Sequence, residues 1–545
     1  MVKRRTNKST LFGGGLKGLV ALAAIGILSG GLQTPVWAAD NKIIQDSEYQ
    51  LLLEQYGDKW AAEDLDIEKK LDALKKKHGK RPNIIHIMWD DMKYGAIGHK
   101  MLNNVTGYRS PNINKLAANG MTFTRMYTEP SCTPTRVAAM TGRQPVRSGM
   151  IFPIFPIHRM GLPGSEVTIA EVLDDDYTTG FFEKSHFGDM EESYLHNQGF
   201  DEAIFTLYNQ FAGQMFTPEA EDAFLTLGWE KDEWDRYALD KKFRPTEWMW
   251  AVEGFKGQKG KEVSTPRTAA EYLEFNVMAY SRVKQFIEKH ANDDKPFLLD
   301  WWPNALEMFS PKNSPKQTPH GSASSESFFR LDKQIGEIVG MLEKLGIADN
   351  TLIVLMADNG PMAEIWPDTY HNPGIFRGGK NDFLEGGVRV PAFAYWPGVI
   401  EKGAVVHDMV HATDLFTTFA RLGGKMDAIP RDRVIDGIDQ TSLLLNGDGN
   451  GRRDHVFIYQ GPQLSAIVKQ QYKRHFAGAA PGLAGKGFFD LEKDPREEHP
   501  LMAQFLWAWP AFDFMKSRHE DQIKKYPHTP VATGEPYTGV TRLVR

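Results

Sequence analysis

The sequence predicts an α/β protein in which a large, mostly parallel sheet is flanked by helices and followed by a smaller C-terminal domain with an antiparallel sheet. Apolar runs at 82–89 and 351–357 have the composition of strands buried on both faces, and segments with helical spacing separate them. These two observations favour the large sheet. From about Arg452 the chain changes to short strands divided by turn signals, which favours the second domain.

Composition limits the classes of function that the chain can serve. The chain has 545 residues, which suffices for a large core and more than one domain. Its net charge is −6 and falls to −11 without residues 1–39, which hold five basic residues and no acidic one. An acidic protein of this kind argues against nucleic acid as a partner, so any anion site must be a local cluster of cations.

The N-terminus predicts a cleaved signal peptide over residues 1–39. Basic residues open it, an apolar stretch runs from Leu19 to Leu28, and Ala38 and Ala39 provide a small-residue cleavage site. The apolar stretch is too short and too rich in glycine to form a stable membrane anchor. We therefore expect a periplasmic or secreted protein.

Three segments are expected after the signal peptide. Residues 40–80 predict a helical N-terminal extension, because apolar side chains recur among charged ones at helical spacing. Residues 81–450 are assigned to the main domain, and residues 451–545 to the C-terminal subdomain and tail.

The only cysteine of the chain is Cys132. A single cysteine in an exported chain cannot form an intramolecular disulfide, so Cys132 is either a buried thiol or a reactive group. Residues 134–140 predict a short helix with Pro134 in its first turn, which places Cys132 at the helix N-terminus. Free N–H groups there favour an anion, and Arg136 adds a permanent cation within one turn.

Two predicted strands end in pairs of oxygen-bearing side chains. Asp90 and Asp91 follow the first apolar run directly, and Asp358 and Asn359 follow the run at 351–357. Ligands of α/β sheets bind at the carboxyl ends of the strands, and adjacent carboxylates repel each other unless a cation neutralises them. The Asp90–Asp91 pair is therefore either a cation site or a solvated turn.

The stretch 131–143 resembles the sulfatase signature, Cys-x-Pro-x-Arg followed by Thr-Gly-Arg. All six fixed positions are present: Cys132, Pro134, Arg136, Thr141, Gly142 and Arg143. Other elements along the chain are similar to those of sulfatases and stand in the same order as in the family. They are Pro-Asn-strand-Asp-Asp at 82–91, Lys-x-His at 184–186, Asp-Asn-Gly at 358–360, Gly-x-Lys at 378–380, Glu-Gly-Gly-x-Arg-x-Pro at 385–391 and Phe-Asp-Leu-x-x-Asp-Pro at 489–495.

The resemblance implies an alkaline-phosphatase-like fold, with residues 81–450 as the catalytic sulfatase domain. It implies an arylsulfatase-like activity, the hydrolysis of a sulfate ester to an alcohol or phenol plus inorganic sulfate. In this family the cysteine, here Cys132, is oxidised by a formylglycine-generating enzyme to formylglycine, an aldehyde whose hydrate is the nucleophile.

The resemblance also assigns roles to individual residues. It implies that Asp90, Asp91, Asp358 and Asn359, together with the group derived from Cys132, bind a divalent cation. This all-oxygen set suits calcium best and magnesium second.

Cations and a histidine complete the implied site. Arg136, Lys184 and Lys380 would bind and neutralise the sulfate. His186 would assist the loss of a proton from the hydrate, and Arg143 would support the loop.

The chain departs from the family pattern at several positions. Glu183 replaces the usual Gly and Ser185 the usual Trp around Lys184. Sulfatases usually have a histidine that touches the ester oxygen shortly after the strand at 295–304. Here Glu307 or Phe309 occupies that place, and His320 is the nearest downstream histidine.

Several alternatives stay open, and the missing histidine bears on the first of them. The same site could serve a phosphonate monoester or phosphodiester hydrolase, Cys132 could act as an unmodified thiolate, or the chain could be a non-catalytic exported binding protein. The aromatic residues of 203–266 are either a self-packing subdomain or a wall of the substrate cleft. The alcohol, aryl or glycan, stays open.

Overall fold

The structure is a computed structural model that describes only part of the chain. The described ranges are 42–155, 158–209, 223–225, 251–266, 269–304, 309–311, 315–319, 321–362, 374–478, 487–501 and 507–541, with backbone only at 223–225, 269 and 309–311. The predicted signal peptide and most of the aromatic stretch 203–266 lie outside these ranges, as do Glu307, His320 and the side chain of Phe309.

The helices of the described ranges are α1 Ser47–His78, α2 Lys100–Thr106, α3 Pro111–Asn119, α4 Cys132–Thr141, α5 Ile169–Leu173, α6 Ala269–His290, α7 Ala323–Lys344, α8 Glu385–Val388, α9 Asp414–Gly423, α10 Thr441–Asn446 and α11 Ala508–Lys525. None of these helices has the length and apolar character needed to cross a membrane.

The strands of the described ranges are β1 Ile44–Gln45, β2 Asn83–Trp89, β3 Met121–Tyr127, β4 Met160–Gly161, β5 Thr178–Lys184, β6 Glu202–Thr206, β7 Ala223–Leu225, β8 Ala251–Phe255, β9 Lys261–Ser264, β10 Phe297–Trp302, β11 Phe309–Pro311, β12 Thr351–Ala357, β13 Arg389–Tyr395, β14 Ala404–His411, β15 Val434–Ile435, β16 His455–Gln460, β17 Gln463–Lys469, β18 Tyr472–His475, β19 Phe488–Asp490 and β20 Ala532–Thr533.

A mixed sheet dominates the fold. Within the described ranges it has ten strands in the order β14-β3-β13-β12-β2-β10-β5-β6-β8-β9. The central strands β12, β2, β10, β5 and β6 are all parallel, whereas β13, β8 and β9 pair antiparallel with their neighbours. The predicted large, mostly parallel sheet flanked by helices is therefore confirmed.

The central strands consist of near-continuous apolar runs because both faces of the sheet are covered. Every residue of β2, β10 and β12 is buried. Parallel sheets are stable in this setting, where helices on both faces remove the side chains from water.

The carboxyl ends of several strands meet at one edge of this sheet. The register pairs Ala357, the last residue of β12, with Trp89, the last residue of β2. Strand β3 points the same way as β12, because both are antiparallel to β13. The residues that follow β2, β3, β5 and β12 are therefore brought to one place, as the strand-end argument predicts.

Helix α1 confirms the helical prediction for the N-terminal extension. Its first turn is capped by Asp46, whose Oδ1 atom accepts from the backbone N–H groups of Glu48 at 2.9 Å and Tyr49 at 3.2 Å. It ends at Gly79, whose φ of +76° is the left-handed conformation that glycine adopts readily.

The predicted antiparallel sheet is also present. Strands β16, β17, β18 and β19 pair antiparallel in that order. One set of its side chains packs with Phe383 and Leu384, and another packs with Phe512 and Met515 of α11. The boundary between the main domain and the C-terminal subdomain stays a prediction.

Candidate active site

Four oxygen-bearing side chains converge at the ends of β2 and β12. The backbone N–H of Asp91 donates to Asp358 Oδ1 at 3.1 Å, and Asn359 Nδ2 donates to Asp91 Oδ1 at 2.6 Å. Asp90 reaches the same place through a shared partner described below, and all four residues are fully buried. These acid pairs are therefore not solvated turns.

Helix α4 carries Cys132 and Arg136 into this cluster. Cys132 is the first residue of the helix, which extends the predicted segment 134–140 by two residues at its start. Its Sγ atom lies 3.8 Å from Asp91 Oδ1. Burial raises the pKa of the Cys132 thiol to about 12, so the unmodified side chain is a protonated thiol in this site.

Arg136 joins the two acid pairs. Its Nη2 atom donates to Asp90 Oδ1 and to Asp358 Oδ2, both at 2.9 Å, while its Nε donates to Asp358 Oδ2 at 3.2 Å. The guanidinium also lies over the ring of Trp302, 5.3 Å from its centroid. Its planar fork is thus fixed on both sides, which a lysine could not reproduce.

Lys184 ends β5 and adds a second cation. Its ammonium group donates to Asp90 Oδ1 and lies 3.9 Å from Asp358 Oδ2. Its backbone carbonyl accepts from Arg136 Nη1 at 2.9 Å. The two cations are therefore positioned by each other as well as by the carboxylates.

His186 lies in the turn after β5. Its Nε2 atom is 2.8 Å from the carbonyl oxygen of Ile154, which can only accept, so Nε2 carries the proton. Burial and the charge of Lys184 hold the pKa of His186 well below its usual range. The ring is therefore neutral, and among the described residues its buried Nδ1 atom has no hydrogen-bond partner.

Lys380 connects the nucleophile position with the acid cluster. Its Nζ atom donates to Asp91 Oδ1 at 2.8 Å and to Cys132 Sγ at 2.9 Å. Burial alone would lower the pKa of Lys380, but the charges of Asp91 and Asp358 raise it overall. Lys380 is thus held as a cation beside Cys132.

The charges of this site balance. Asp90, Asp91 and Asp358 supply three carboxylates, and Arg136, Lys184 and Lys380 supply three cations in direct contact with them. A divalent cation and a doubly charged anion could enter together without changing the net charge of the buried site. Burial of ions is costly unless such compensation is present.

The residues fit a divalent cation. Among the described residues the buried Oδ1 atom of Asn359 has no hydrogen-bond partner, although its Nδ2 atom has two. Single donor atoms of Asp90, Cys132 and Asp358 all lie within 4.8 Å of one another. Carboxylate and amide oxygens are the ligands that hard cations prefer.

The two departures beside Lys184 have different roles. Ser185 donates its hydroxyl to the carbonyl oxygen of Thr206 at 2.9 Å, so it serves the sheet rather than the site. Glu183 is buried with a φ of +82°, and its Oε2 atom accepts from Trp301 Nε1 at 2.7 Å. Burial raises the pKa of Glu183 to about 7.

Arg143 braces the end of α4, as predicted. Its Nε atom donates to the carbonyl oxygen of Val434 at 3.1 Å, and its Nη1 atom pairs with Glu166. Sequence reasoning missed Trp302 and Ile154 as supports of Arg136 and His186. No sequence pattern marks either of them, because Trp302 looks like any other apolar strand residue and Ile154 acts through its backbone carbonyl.

Known proteins match both the sequence and the fold. The family model for sulfatases matches residues 82–425. Human arylsulfatase A (Homo sapiens) is 32% identical over 461 residues, covering 79% of this chain and 85% of the relative. Rat steryl-sulfatase (Rattus norvegicus) is 30% identical over 504 residues, covering 78% and 85%.

Solved structures agree. The PsFucS1 sulfatase from Pseudoalteromonas sp. superposes with a TM-score of 0.75 at 29% identity, covering 90% of this chain and 97% of that one. A phosphonate monoester hydrolase of Agrobacterium radiobacter has a TM-score of 0.50 at 17% identity, covering 82% and 96%, and shares the fold alone. These matches contradict the alternative of a non-catalytic binding protein. The chain belongs to the sulfatase family and is a sulfuric ester hydrolase.

Proposed function

We propose that this chain hydrolyses a sulfate ester to an alcohol or phenol and inorganic sulfate, using a formylglycine made from Cys132. The observation that carries the proposal is the position of Lys380, whose ammonium group contacts both Cys132 and Asp91. A nucleophile position, a cluster of oxygen ligands and three cations thereby share one buried site. A metal-independent thiol enzyme would have no use for this set.

The proposed metal is calcium, with magnesium as the second choice. Asp90, Asp91, Asp358 and Asn359 would hold it together with the group derived from Cys132. When bound, the cation supplies Lewis-acid polarisation and a fixed orientation for the sulfate oxygens. Zinc is not the favoured ion, because it prefers histidine and thiolate ligands and these four residues include neither.

The cations of the site stabilise charge on the group that is transferred. Arg136, Lys184 and Lys380 are held by carboxylates and backbone before substrate binds, so little reorganisation accompanies the reaction. In the overall reaction the S–O bond to the alcohol breaks, its electron pair leaves with the alcohol oxygen, which takes up a proton, and sulfur forms a new S–O bond to an oxygen that comes from water. Water supplies the oxygen and hydrogen atoms that balance the products.

His186 is suited to accept a proton. Its Nε2–H donates to Ile154, so the lone pair of Nδ1 is available. Because the ring is neutral, Nδ1 can take a proton from a hydroxyl group at the Cys132 position and return it later. The tautomer is fixed by the backbone, which leaves one nitrogen for chemistry.

Maturation and location complete the proposal. Residues 1–39 would direct export to the periplasm or the medium and be removed there. A formylglycine-generating enzyme would oxidise Cys132, and the substrate would be a small-molecule or glycan sulfate ester.

The test is turnover of matched aryl sulfate and aryl phosphonate esters by the protein purified with calcium or with chelator, beside Cys132→Ala. We expect faster sulfate release that depends on the metal and is lost in Cys132→Ala. Peptide mass spectrometry of the stretch 131–143 should show the aldehyde. Faster phosphonate cleavage would identify a phosphonate hydrolase, and metal-independent turnover by an unmodified thiol would contradict the mechanism.

A further inference from the structure

The loop that carries Lys380 is tied to both halves of the catalytic cluster. The backbone N–H of Lys380 donates to Pro361 O at 2.7 Å, three residues after Asp358. The backbone N–H of Asn381 donates to Pro130 O, also at 2.7 Å, two residues before Cys132. The placement of this loop therefore decides where the Lys380 side chain can reach.

The outer side of the same loop is held by the C-terminal part of the chain. Lys473 of β18 donates from Nζ to the carbonyl oxygen of Phe383 at 2.7 Å. Gln460 of β16 donates from Nε2 to the carbonyl oxygen of Asn381 at 2.8 Å. These contacts lie one and three residues beyond Lys380.

A further contact holds the loop on the other side of Lys380. Arg377 donates from Nη2 to the carbonyl oxygen of Glu497 at 2.6 Å. Three residues on the two sides of Lys380 along the chain, Arg377, Asn381 and Phe383, therefore each have a hydrogen-bond partner in the C-terminal region. The described hydrogen bonds of the other two cations, Arg136 and Lys184, are made within the main domain.

A buried ion cluster stands behind these contacts. Lys473 Nζ lies 3.0 Å from Glu385 Oε1 and 3.3 Å from Glu497 Oε1, and the backbone N–H of Glu385 donates to Glu497 Oε1 at 2.7 Å. All three residues are at most 1% exposed. Tyr127, the last residue of β3, donates its hydroxyl to Glu385 Oε2 at 2.9 Å.

The energetics of such a cluster indicate a role beyond stability. Buried ion pairs repay their desolvation poorly, and apolar residues of the same volume often stabilise a core as well. What the cluster provides is a fixed geometry, with directed bonds to one loop. A lysine side chain has many rotamers, so the position of a catalytic ammonium group is defined best when the backbone that carries it is held in place.

We propose that Lys473 and Glu497 are positioning residues for catalysis, which hold the Lys380 loop so that its ammonium group meets Cys132 and Asp91. The C-terminal sheet thus acts in catalysis without touching the substrate. The inference rests on the proposed function through the role of Lys380.

The test is a double-mutant cycle of Lys473→Met with Lys380→Ala in the full chain, purified with calcium and checked for formylglycine. We expect Lys473→Met to lower kcat roughly 10- to 100-fold with KM changed less than about twofold, the scale seen when a catalytic group shifts by about 1 Å. In the Lys380→Ala background it should lower kcat less than about twofold, because the group that it positions is gone. Lys473→Arg should restore part of the activity.

Two further variants keep the result interpretable. Lys469→Met removes a lysine of the neighbouring strand β17 that pairs with Asp454 at 2.7 Å and does not touch the loop, so its kcat should match the wild type. Gln460→Ala removes one loop contact without disturbing the buried ions, and it should lower kcat even if Lys473→Met fails to fold.

The outcomes separate this inference from the proposed function. Equal losses of kcat from Lys473→Met in both backgrounds, or wild-type kcat in Gln460→Ala, would overturn the positioning role while leaving the proposed function intact. Wild-type kcat in Lys380→Ala itself would contradict the proposed role of Lys380, and the inference with it.

Discussion

The indole N–H of Trp301 donates to Glu183 Oε2 at 2.7 Å, and this bond holds a buried carboxyl group next to Lys184. Glu183 adopts a φ of +82°, where a non-glycine residue is strained by about 1–3 kcal/mol. Strain of this kind persists only when the surroundings compensate for it. Trp301, at the end of the neighbouring strand β10, provides that compensation.

The raised pKa of Glu183 gives a prediction about stability and pH. Its carboxyl group has a pKa of about 7 in the folded protein and an ordinary value near 4.5, so the folded state binds more protons between these values. The free energy of unfolding should therefore fall as pH rises from about 4.5 to 7, by at most about 1.4 kcal/mol per pH unit from this group. Urea unfolding should show that slope in the difference between the wild type and Glu183→Gln, since the other titrating groups are common to both proteins, and parallel curves would refute it.

Calcium should stabilise the folded chain through Asn359. A ligand that binds only the folded state adds about 2.7 kcal/mol at about 100 times its Kd, so the melting temperature should rise when calcium is added to chelator-treated protein. Asn359→Ala removes the amide oxygen that has no partner among the described residues, and its melting temperature should rise much less.

The matched control for that experiment is Asn83→Ala. Asn83 is a buried asparagine at the start of the neighbouring strand β2, far along the sheet from Asn359, and its Nδ2 atom donates to Thr351 Oγ1 at 3.2 Å. Asn83→Ala should lose stability yet keep the full calcium shift. An equal shift in all three proteins would place the calcium outside the proposed ligand set.

Much of this site follows from sequence because local patterns decide it. The apolar run of β2 is followed by two aspartates and that of β12 by an aspartate and an asparagine, and the rule for parallel strands brings those ends together. Helix α4 begins at Cys132 because the signals of its first turn are local. Hydrogen bonds that join Arg136 to Asp90 and Asp358 then follow from proximity.

The remainder depends on contacts that no local pattern records. Glu183, His186 and Asp91 all have positive φ, a conformation that aspartate and histidine adopt more often than most residues but that glutamate rarely adopts, and no local pattern predicts it at these positions. Tertiary hydrogen bonds override those preferences. The ion cluster of Lys473 with Glu385 joins residues 88 positions apart, and nothing in either segment marks its partner.

Asp46 provides a prediction about stability far from the active site. Its Oδ1 atom caps α1 and lies 3.0 Å from His455 Nε2, a buried pair separated by 409 positions. Asp46→Asn keeps an oxygen for the cap but leaves His455 with Asp454 as its one remaining carboxylate partner among the described residues, so we expect a loss of at most about 3–5 kcal/mol in the free energy of unfolding. Turnover at 25 °C should be unchanged, since neither residue contacts the site.

The pH dependence of that loss has a defined window. Burial opposes both charges, yet His455 holds the pKa of Asp46 below its usual range, and Asp46 with Asp454 raises the pKa of His455 to about 9. The contribution of Asp46 is lost as pH falls below about 4, and that of His455 is lost as pH rises from about 6.5 to 9. Urea unfolding should show the largest difference between wild type and Asp46→Asn from about pH 4 to 6.5. A difference that grows towards pH 9 would contradict the pairing.

His186 should act as a neutral base over the whole physiological range. Its pKa lies well below its usual range because of burial and the charge of Lys184, so kcat should show no inflection near pH 6.5 from this residue. His186→Ala should lower kcat about 10²- to 10⁴-fold at every pH from 6 to 8, as expected for the loss of a general base. His407→Ala, at an exposed histidine that pairs with Asp448, should leave the pH–rate profile unchanged. An inflection near pH 6.5 that disappears in His186→Ala would show that the ring titrates there, and its Nδ1 atom would then be a donor at low pH rather than the acceptor proposed here.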